Sequence, residues 1–440
     1  MKIAYTMSRF PKITETFVLY EIVAMERAGA EVEIFPLIHE KQPVQQPEAK
    51  ALVERAHYHP FLSWSIVKSN LRALFRAPST YLGALAEVLG GTFGSLNFFT
   101  GAIGVFPKAV HFAHLMEERG VEHLHAHFAN HPTVVALIVH RLTGIPFSFT
   151  AHGHDLHVER RMLGEKIAAS AFAVTISEYN RRLMQEECGP EHAPKVHVLH
   201  CGADTDAFSP RPPARNKGPI RLITIGSFIE VKGHRYLVDA VRILKERGID
   251  VRAELIGTGR AREALENRIA EAGVTEQFIL HGAQPRPYVI ERLRAADIAV
   301  QPSVPTERGS REGIPVSLME AMATGLPTIA SKISGIPELV VDGETGHLIP
   351  PRDATALADT IARLAADPAE RDRLGAAGRE RVLDLFDLQR NAERLLTEMR
   401  RVAGAATTPG PSSEPSADSN TEPNTEPNAE SLDRPKELIS

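Results

Sequence analysis

Short β-like segments alternate with helical patterns along most of this 440-residue chain, and this alternation constrains the fold more than any other feature. The first series of β-like segments covers 3–7, 32–37, 123–127, 147–151, 173–176 and 196–199. A second series follows a Pro/Arg/Asn-rich segment at 210–219 and covers 221–225, 254–256, 278–281, 298–301 and 328–330. Strands separated by helices pair in parallel and are covered on both faces. Each series therefore predicts one doubly wound α/β domain.

The same patterns predict four regions. A Rossmann-like domain at 1–209 precedes a second one at 210–385, and a helical segment at 386–402 follows. From 403 to 440 the chain is rich in Pro, Ser, Thr, Asn and Glu, so it cannot bury a core and we expect a disordered acidic tail. Open α/β sheets bind ligands at the carboxyl ends of their strands, which places the expected site in the cleft between the two domains.

The segment at 311–327 holds the most informative local pattern. Pro315 suits the first position of a helix over 316–324, so Glu312 precedes this helix and Glu320 lies within it. A helix N-terminus binds phosphate readily, and carboxylates accept hydrogen bonds from vicinal hydroxyl pairs. The pattern predicts a site for a nucleotide-linked sugar. The alternative is that both glutamates only stabilise the helix dipole.

Two glycine turns follow successive strands of the second series. Gly226 begins a loop that continues through Lys232 to Gly233, and Gly257 and Gly259 follow the next strand. Glycines let a backbone approach a phosphate, and a lysine adds a mobile cation. A single turn of this kind is weak evidence, but two of them converge on the same sheet edge as the double-glutamate helix.

Ten histidines lie between residues 111 and 157, which raises the question of a metal site. His125 and His127 would point to one face of a strand, but no nearby acid or cysteine completes a ligand set, and we predict no metal. The run at 152–155 is different, because it ends a buried strand at its carboxyl edge. Its side chains could contact a sugar hydroxyl or position an acceptor, and they could equally cap the following helix.

Composition excludes some classes of function. The formal net charge of −5 gives no general case for nucleic-acid binding. Cys188 and Cys201 have neither metal-site nor disulfide-framework spacing, so we expect a reducing cytoplasm. Residues 1–7 suit a first strand rather than a signal peptide. The sequence contains no unbroken apolar run of about 20 residues, so we predict no membrane-spanning helix.

The segment at 62–75 combines apolar residues such as Trp64 and Phe75 with Lys68 and Arg72. As a helix it would be basic and amphipathic, which suits the anionic inner face of the plasma membrane. Packing of these apolar residues on the N-terminal domain is the interpretation we favour for each residue, while we still expect loose peripheral membrane association.

Taken together, these segments resemble the retaining glycosyltransferases of family 4, whose GT-B fold consists of two Rossmann-like domains facing across a cleft. The resemblance covers about residues 1–400, and the N-terminal half is most similar to bacterial enzymes of exopolysaccharide and colanic-acid-type assembly. It rests on Pro-Lys-Ile-Thr-Glu-Thr-Phe at 11–17, His-Gly-x-Asp at 152–155, the glycine and lysine run at 226–233, the double-glutamate segment from Glu312, and the runs at 335–340 and 342–346.

The resemblance implies transfer of a hexose, without a metal or other cofactor, from a UDP- or GDP-sugar to a saccharide or lipid-linked saccharide in bacterial surface polysaccharide synthesis. The implied catalytic residues are His152, Lys232 and Glu312. The implied donor-binding residues are Gly226, Ser227, Lys232, Gly233, Gly257, Gly259, Arg311, Glu312, Gly313, Ile314, Pro315 and Glu320. The implied acceptor-binding residues are Pro11, Thr14, Glu15, Thr16, His154 and Asp155.

One position departs from the family pattern. Members usually carry Arg directly after the first glycine of the phosphate loop, whereas Ser227 stands there in this chain. One of two expected phosphate cations is therefore missing. Arg308 or Arg311, a few residues before Glu312, is the candidate substitute.

Other classes of function remain open at this point. Sugar-nucleotide epimerases share the two-domain architecture, and a non-catalytic sugar-nucleotide-binding protein would keep the same donor residues. A dinucleotide oxidoreductase needs a Gly-x-Gly-x-x-Gly turn in its first βα unit, and residues 6–17 contain no glycine.

Overall fold

The computed structural model describes residues 1–41, 46–213 and 218–407. Within these ranges, twelve strands form two six-stranded sheets in which all neighbouring strands run parallel. The first sheet contains β1 (Lys2–Phe10), β2 (Glu31–His39), β3 (His123–His127), β4 (Phe147–Ala151), β5 (Phe172–Thr175) and β6 (Val196–Val198). The second contains β7 (Ile220–Ile225), β8 (Val251–Ile256), β9 (Phe278–Gly282), β10 (Ile298–Gln301), β11 (Thr328–Ser331) and β12 (His347–Ile349).

Helices cover both faces of each sheet, as parallel sheets require. Those in the first half are α1 (Thr16–Arg27), α2 (Pro47–Arg55), α3 (Trp64–Arg76), α4 (Pro78–Thr92), α5 (Leu96–Arg119), α6 (His131–Thr143), α7 (His154–His157), α8 (Leu163–Ala169) and α9 (Glu178–His192). Those in the second half are α10 (His234–Glu246), α11 (Arg262–Glu271), α12 (Arg286–Ala295), α13 (Val316–Ala323), α14 (Ile336–Leu339), α15 (Ala354–Ala366), α16 (Pro368–Leu385) and α17 (Leu388–Thr407).

The strand order reverses beside the first strand of each sheet. The orders are β2-β1-β3-β4-β5-β6 and β12-β11-β10-β7-β8-β9, so the connections from β1 and β3 leave in opposite directions, as do those from β7 and β10. Ligands of open α/β sheets bind at such a switch point. The loops at 226–233 and 302–315 flank the switch point of the second sheet, and these are the loops that carry the predicted donor residues.

Three strands agree with the sequence prediction at both ends. Every residue of β3, β4 and β10 is buried, and these three strands have the bounds predicted from the sequence. Strand β12 was not predicted.

The helix α17 returns to the first half of the chain. Its apolar side chains join the core that β1 and α1 form on one face of the first sheet, and they are Leu388, Ala392, Leu395, Leu396 and Met399. The helix therefore ties the end of the second half to the N-terminal half. The predicted disordered tail lies, from residue 408 onwards, outside the described residues.

The structure corrects one expectation about α3. Ile66 is buried against the rest of the N-terminal half, but Trp64 and Phe75 are 78% and 81% exposed and Leu71 is 46% exposed. Packing on the domain was therefore the wrong interpretation for these three side chains. Among the described residues, no helix is both long and apolar enough to cross a membrane.

Candidate active site

A cleft of about 650 Å³ lies between the carboxyl edges of the two sheets. One wall consists of loops that follow β1, β3 and β4, and the other of loops that follow β7, β8 and β10 together with the start of α13. The residues predicted from the sequence that line it are Thr14, Glu15, Thr16, His152, Asp155, Gly226, Ser227, Lys232, Gly257, Arg311, Glu312, Gly313, Ile314, Pro315 and Glu320.

Four residues predicted for the site are not among the described residues that line the cleft. Pro11 lines a smaller depression beside the cleft, with Lys12 and Glu15. Gly233 and Gly259 pack against the backbone of neighbouring loops, where a Cβ atom would have no room. The side chain of His154 lies outside the part of the chain that the structure describes.

Lys232 and Glu312 form an ion pair on the wall that the second sheet provides. Lys232 Nζ lies 2.8 Å from Glu312 Oε2, and Ser303 Oγ donates to the same oxygen at 3.4 Å. Gly233 makes this pairing possible, because it adopts a left-handed φ of +67° and a Cβ atom there would overlap the carbonyl oxygen of Pro302. Only glycine lets the loop after β7 approach the loop after β10 this closely.

Pro315 is the residue before α13, and not its first helical residue as the sequence suggested. Pro315 precedes the helix, and its carbonyl oxygen accepts a hydrogen bond from the N–H of Leu318 at 3.0 Å. The N–H groups of the first turn lack intrahelical partners, and Val316 and Ser317 in this turn line the cleft. Glu320, one turn further along, is enclosed enough that burial raises its pKa to about 7, against the opposing charge of Arg286.

Arg286 is a cleft residue that the sequence did not reveal. It starts α12, its guanidinium lies 2.8 Å from Asp204 Oδ2, and it stacks over the Tyr20 ring at 4.2 Å. Its backbone N–H donates to Gln46 Oε1 at 3.0 Å, so this residue contacts both halves of the chain. Its position after β9, at the carboxyl edge of the sheet, was the one available signal, and no motif accompanies it.

Of the two arginines considered as substitutes beside Ser227, one lines the cleft. Arg311 does so, and its guanidinium donates to the Tyr179 hydroxyl of the opposite wall at 3.1 Å. Arg308 is exposed and does not contribute to the cleft lining among the described residues.

The two walls touch at one end of the cleft. Glu338 accepts hydrogen bonds from the N–H groups of Glu178 and Tyr179, at 2.9 and 3.0 Å, and so caps α9 from the other half of the chain. Close by, a Cβ atom on Gly313 would lie 2.7 Å from the carbonyl oxygen of His152. The structure therefore shows the two walls in close contact around the predicted site.

His152 lies on the opposite wall from Lys232. Its ring packs against the rings of Phe17 and Phe128, at centroid distances of 4.5 and 4.8 Å. Burial holds the pKa of His152 well below its usual range, so the ring is neutral near pH 7.

Asp155 holds the backbone around His152 in place. Its carboxylate accepts hydrogen bonds from the N–H groups of Ala129, His152 and Gly153, at 2.7, 3.1 and 2.8 Å. The predicted acceptor-binding residue therefore already has three partners within the protein.

The loop after β1 contributes a second carboxylate to this wall. Glu15 pairs with Lys12, yet burial raises the pKa of Glu15 above its ordinary value. Thr14 and Thr16 flank it and line the cleft with it. Hydroxyl and carboxyl groups of this kind suit a polar acceptor.

The sequence prediction that no acid lies near His125 and His127 of β3 was wrong. Glu21 of α1 brings a carboxylate oxygen to 3.2 Å from His127 Nε2, and His125, His127 and Glu21 place one donor atom each within 4.8 Å of one another. The nitrogens of His125 already contact Ser148 Oγ at 2.8 Å and Thr150 Oγ1 at 3.0 Å. Chain folding, and not sequence proximity, brings the acid to this cluster.

Comparison with known proteins decides the family. The family described as glycosyl transferases group 1 matches residues 206–381, the part that carries Lys232, Glu312 and Glu320. The putative colanic acid biosynthesis glycosyltransferase WcaL of Escherichia coli (strain K12) is 30% identical over 399 residues, which are 82% of this chain and 90% of that protein. The chain belongs to the group 1 glycosyl transferases.

A further relative agrees with this assignment, and a solved structure has the same fold. The amylovoran biosynthesis glycosyltransferase AmsK of Erwinia amylovora is 35% identical to this glycosyltransferase over 247 residues, which are 56% of this chain and 60% of AmsK. The crystal structure of Anabaena Alr3699/HepE in complex with UDP matches it with a TM-score of 0.67 at 16% identity, over 91% of this chain and 100% of that chain. The predicted GT-B fold is confirmed. Family membership identifies a glycosyltransferase rather than an epimerase, an oxidoreductase or a binding protein.

Proposed function

We propose that this glycosyltransferase is a retaining hexosyltransferase of family 4 that uses a UDP- or GDP-sugar and builds a bacterial surface or extracellular polysaccharide. The observation that carries the proposal is the Lys232–Glu312 ion pair, 2.8 Å long, in front of α13 and its enclosed Glu320. The names of WcaL and AmsK, which refer to colanic acid and amylovoran, support the polysaccharide assignment. The UDP bound to the HepE structure supports a nucleotide donor.

The wall that the second sheet provides offers a partner for each part of a nucleotide sugar. Glu312 accepts hydrogen bonds from hydroxyls of the transferred sugar, and Glu320 binds the ribose. The diphosphate lies between them, with N–H groups of Gly313 and Ile314 and the ammonium of Lys232 directed at it. Gly226, Ser227 and Gly257 form the floor, where small residues leave room for the phosphates.

The chemistry follows from where charge develops. As the glycosidic bond breaks, positive charge builds on the sugar ring and negative charge on the departing diphosphate. Lys232 and the helix N–H dipoles are already arranged around that diphosphate, so little reorganisation is needed to stabilise it. Contact between the two walls excludes water, which favours transfer over hydrolysis.

The N-terminal wall supplies the acceptor side. His152 lies near the anomeric carbon of the donor sugar, and Thr14, Glu15 and Thr16 contact the acceptor together with Asp155. The acceptor is a saccharide or a lipid-linked saccharide, whose hydroxyls suit these polar groups.

Transfer from a labelled donor tests the proposal. We expect purified protein, a nucleotide sugar identified by thermal shift, and a bacterial lipid extract to give a glycosylated product whose anomeric configuration matches the donor. Glu312→Gln should lower this transfer by about 100-fold or more, since an interaction with the reacting sugar is lost. Glu344→Gln, an exposed carboxylate of the same half, is the matched control. A product of inverted configuration, or full activity of the Glu312 variant, would contradict the proposal.

Membrane association belongs to the same proposal. Residues 61–115 contain a single carboxylate, Glu87, although the whole chain has a net charge of −5. Glu87 is neutralised by Arg141 at 2.9 Å, and α3 exposes Trp64 and Phe75 beside its basic residues. Exposed aromatic side chains enter the headgroup region, and each basic residue near an anionic surface contributes about 1 kcal/mol. The protein therefore works at the inner face of the plasma membrane, where a lipid-linked acceptor is available.

Vesicle binding tests this part separately. We expect sedimentation with phosphatidylglycerol vesicles and little with phosphatidylcholine vesicles at 0.1 M salt. Trp64→Ser combined with Phe75→Ser should abolish it, whereas Ile279→Ser, which removes an exposed apolar side chain on β9, should leave it unchanged. Equal binding by the double variant would show that α3 is not the membrane contact.

A further inference from the structure

A line of buried polar side chains runs through the N-terminal half toward the cleft. The Tyr5 hydroxyl donates to Glu21 Oε1 at 3.0 Å, His127 Nε2 lies 3.2 Å from the same oxygen, and His127 Nδ1 lies 3.1 Å from His152 Nε2. His152 Nδ1, at the end of the line, lies 3.7 Å from Cys201 Sγ. Cys201 and His152 both line the cleft.

The sheet explains why these residues meet. Strands β1, β3 and β4 are neighbours, with Tyr5 paired to His125 and His127 paired to Thr150. His127 ends β3 and His152 directly follows β4, so the carboxyl ends of adjacent strands place the two rings side by side. Glu21 reaches them from α1, which covers this face of the sheet.

Glu21 determines which ring nitrogen of His127 carries the hydrogen. Burial alone would raise the pKa of Glu21, but His127 and the Tyr5 hydroxyl hold it below its ordinary value, so the side chain is an ionised carboxylate. A carboxylate only accepts hydrogen bonds. His127 Nε2 and Glu21 Oε1 are 3.2 Å apart but are not aligned as a hydrogen bond. A lone pair on Nε2 would nevertheless be repelled by the negative charge of the carboxylate at this distance. Nε2 of His127 therefore carries the hydrogen, and in the neutral ring Nδ1 carries the lone pair.

The state of His127 then fixes that of His152. With a lone pair on His127 Nδ1, the nitrogen facing it at 3.1 Å, His152 Nε2, must donate. The ring of His152 is neutral, so its Nδ1 is left with a lone pair on the cleft side. The thiol of Cys201, at 3.7 Å, is a weak donor that a substrate hydroxyl can displace.

The other neighbours of His152 leave this arrangement undisturbed. The ring of His125 is occupied by the hydroxyls of Ser148 and Thr150, and Phe17 and Phe128 offer no donor or acceptor. Asp155 binds the backbone N–H of His152 and not its ring.

We propose that Glu21 and His127 are positioning residues that hold His152 as its Nε2–H tautomer, so that Nδ1 accepts a hydrogen bond from a substrate hydroxyl in the cleft. Substrate contact by His152 rests on the proposed function, whereas the tautomer does not. A neutral acceptor at this place would orient a hydroxyl of the sugar or of the acceptor without adding charge next to the forming oxocarbenium ion.

Long-range ¹H–¹⁵N correlation spectra of histidine-labelled protein test the tautomer directly. The His152 signals are identified by their absence in His152→Gln. We expect the Nε2–H pattern in wild type and in His127→Gln, whose amide oxygen can replace the Nδ1 acceptor. We expect the pattern to be lost in His127→Phe, which keeps a ring but removes the acceptor. An Nδ1–H pattern in wild type, or an unchanged pattern in His127→Phe, would overturn the tautomer assignment.

Steady-state kinetics test the positioning role on the same variants. His127→Phe should lower kcat by roughly 100-fold with the donor KM nearly unchanged, because the reacting hydroxyl is misplaced while donor contacts remain. His127→Gln should restore most of kcat. Glu21→Leu should resemble His127→Phe, and Glu21→Gln should resemble wild type.

The outcomes distinguish the tautomer of His152 from its effect on sugar transfer. Loss of the tautomer in His127→Phe at full kcat would overturn the positioning role. A protein that shows the Nε2–H pattern but transfers no sugar from any nucleotide donor would contradict the proposed function and leave the tautomer assignment intact. Loss of folding is monitored by the melting temperature of each variant, and the folded glutamine variants keep both tests decisive.

Discussion

Lys232 and Glu312 lie 80 positions apart in the sequence and form an ion pair, with Nζ 2.8 Å from Oε2. In the proposed function each has a different ligand group, since the lysine binds the diphosphate and the glutamate binds sugar hydroxyls. On this proposal the pair holds both side chains in position before the donor arrives, and their mutual contact loosens when the donor enters between them.

Replacement of Lys232 should lower the rate of sugar transfer more than the stability of the fold. Lys232→Ala removes a cation from the departing diphosphate, and we expect kcat to fall by about 10²- to 10³-fold. The melting temperature should change little, because Ser303 still donates to Glu312. Lys245→Ala, which removes an exposed lysine of α10, is the matched control. Near-normal kcat in Lys232→Ala would exclude the phosphate role.

Arg311 should contribute to donor affinity in place of the arginine that Ser227 replaces. We expect Arg311→Ala to weaken binding of the matching nucleoside diphosphate by about 10-fold, as measured by isothermal titration calorimetry, because a hydrogen-bonded charge contributes about 1.5 kcal/mol. Arg308→Ala is the matched control, since Arg308 is exposed outside the cleft. Unchanged affinity in Arg311→Ala would exclude Arg311 as the substitute cation.

Contact between the walls should depend on Gly313. A Cβ atom there would lie 2.7 Å from the carbonyl oxygen of His152 and 2.8 Å from Ile176 Cδ1. We expect Gly313→Ala to separate the walls, so small-angle scattering should show a larger radius of gyration and kcat should fall. Gly83→Ala, in open space within α4, should leave both unchanged and raise stability by about 0.5–1 kcal/mol. An unchanged radius and kcat in Gly313→Ala would contradict the role of this contact.

The stability of the ligand-free protein should depend on pH through Glu320. Burial raises its pKa from 4.5 to about 7. A carboxyl group with a higher pKa in the folded state takes up a proton on folding between these values, so its contribution to stability falls as pH rises from about 4.5 to about 7. We expect Glu320→Gln to raise the melting temperature relative to wild type at pH 8 and to have little effect near pH 4.5. A difference that does not vary with pH would contradict this, and Glu344→Gln serves as the exposed control.

The sequence was sufficient for features that depend on local patterns. The bounds of β3, β4 and β10 were correct because each is a short segment, buried along its whole length, that stands between segments with a helical pattern. Lys232 and Glu312 were placed at one sheet edge because each follows a parallel strand, and the carboxyl ends of parallel strands share an edge.

Long-range packing decided what local patterns could not. Glu21 reaches His127 from α1, and Arg286 reaches Asp204 from α12, over separations of 106 and 82 residues with no motif at either end. Packing on the domain was wrongly predicted for Trp64, Leu71 and Phe75 of α3, because an amphipathic pattern shows that two faces differ but not which face meets the protein.

The sequence by itself therefore determined the two parallel sheets, the donor loops and the family resemblance. These depend on periodicity and on residues close together in the chain. Only the tertiary structure decided the partners of those residues, among them the Lys232–Glu312 pair, the Glu338 cap on α9 and the line from Glu21 to His152. The physical reason is that hydrogen bonds and ion pairs act over about 3 Å, and strand order and helix packing determine which distant residues come within that distance.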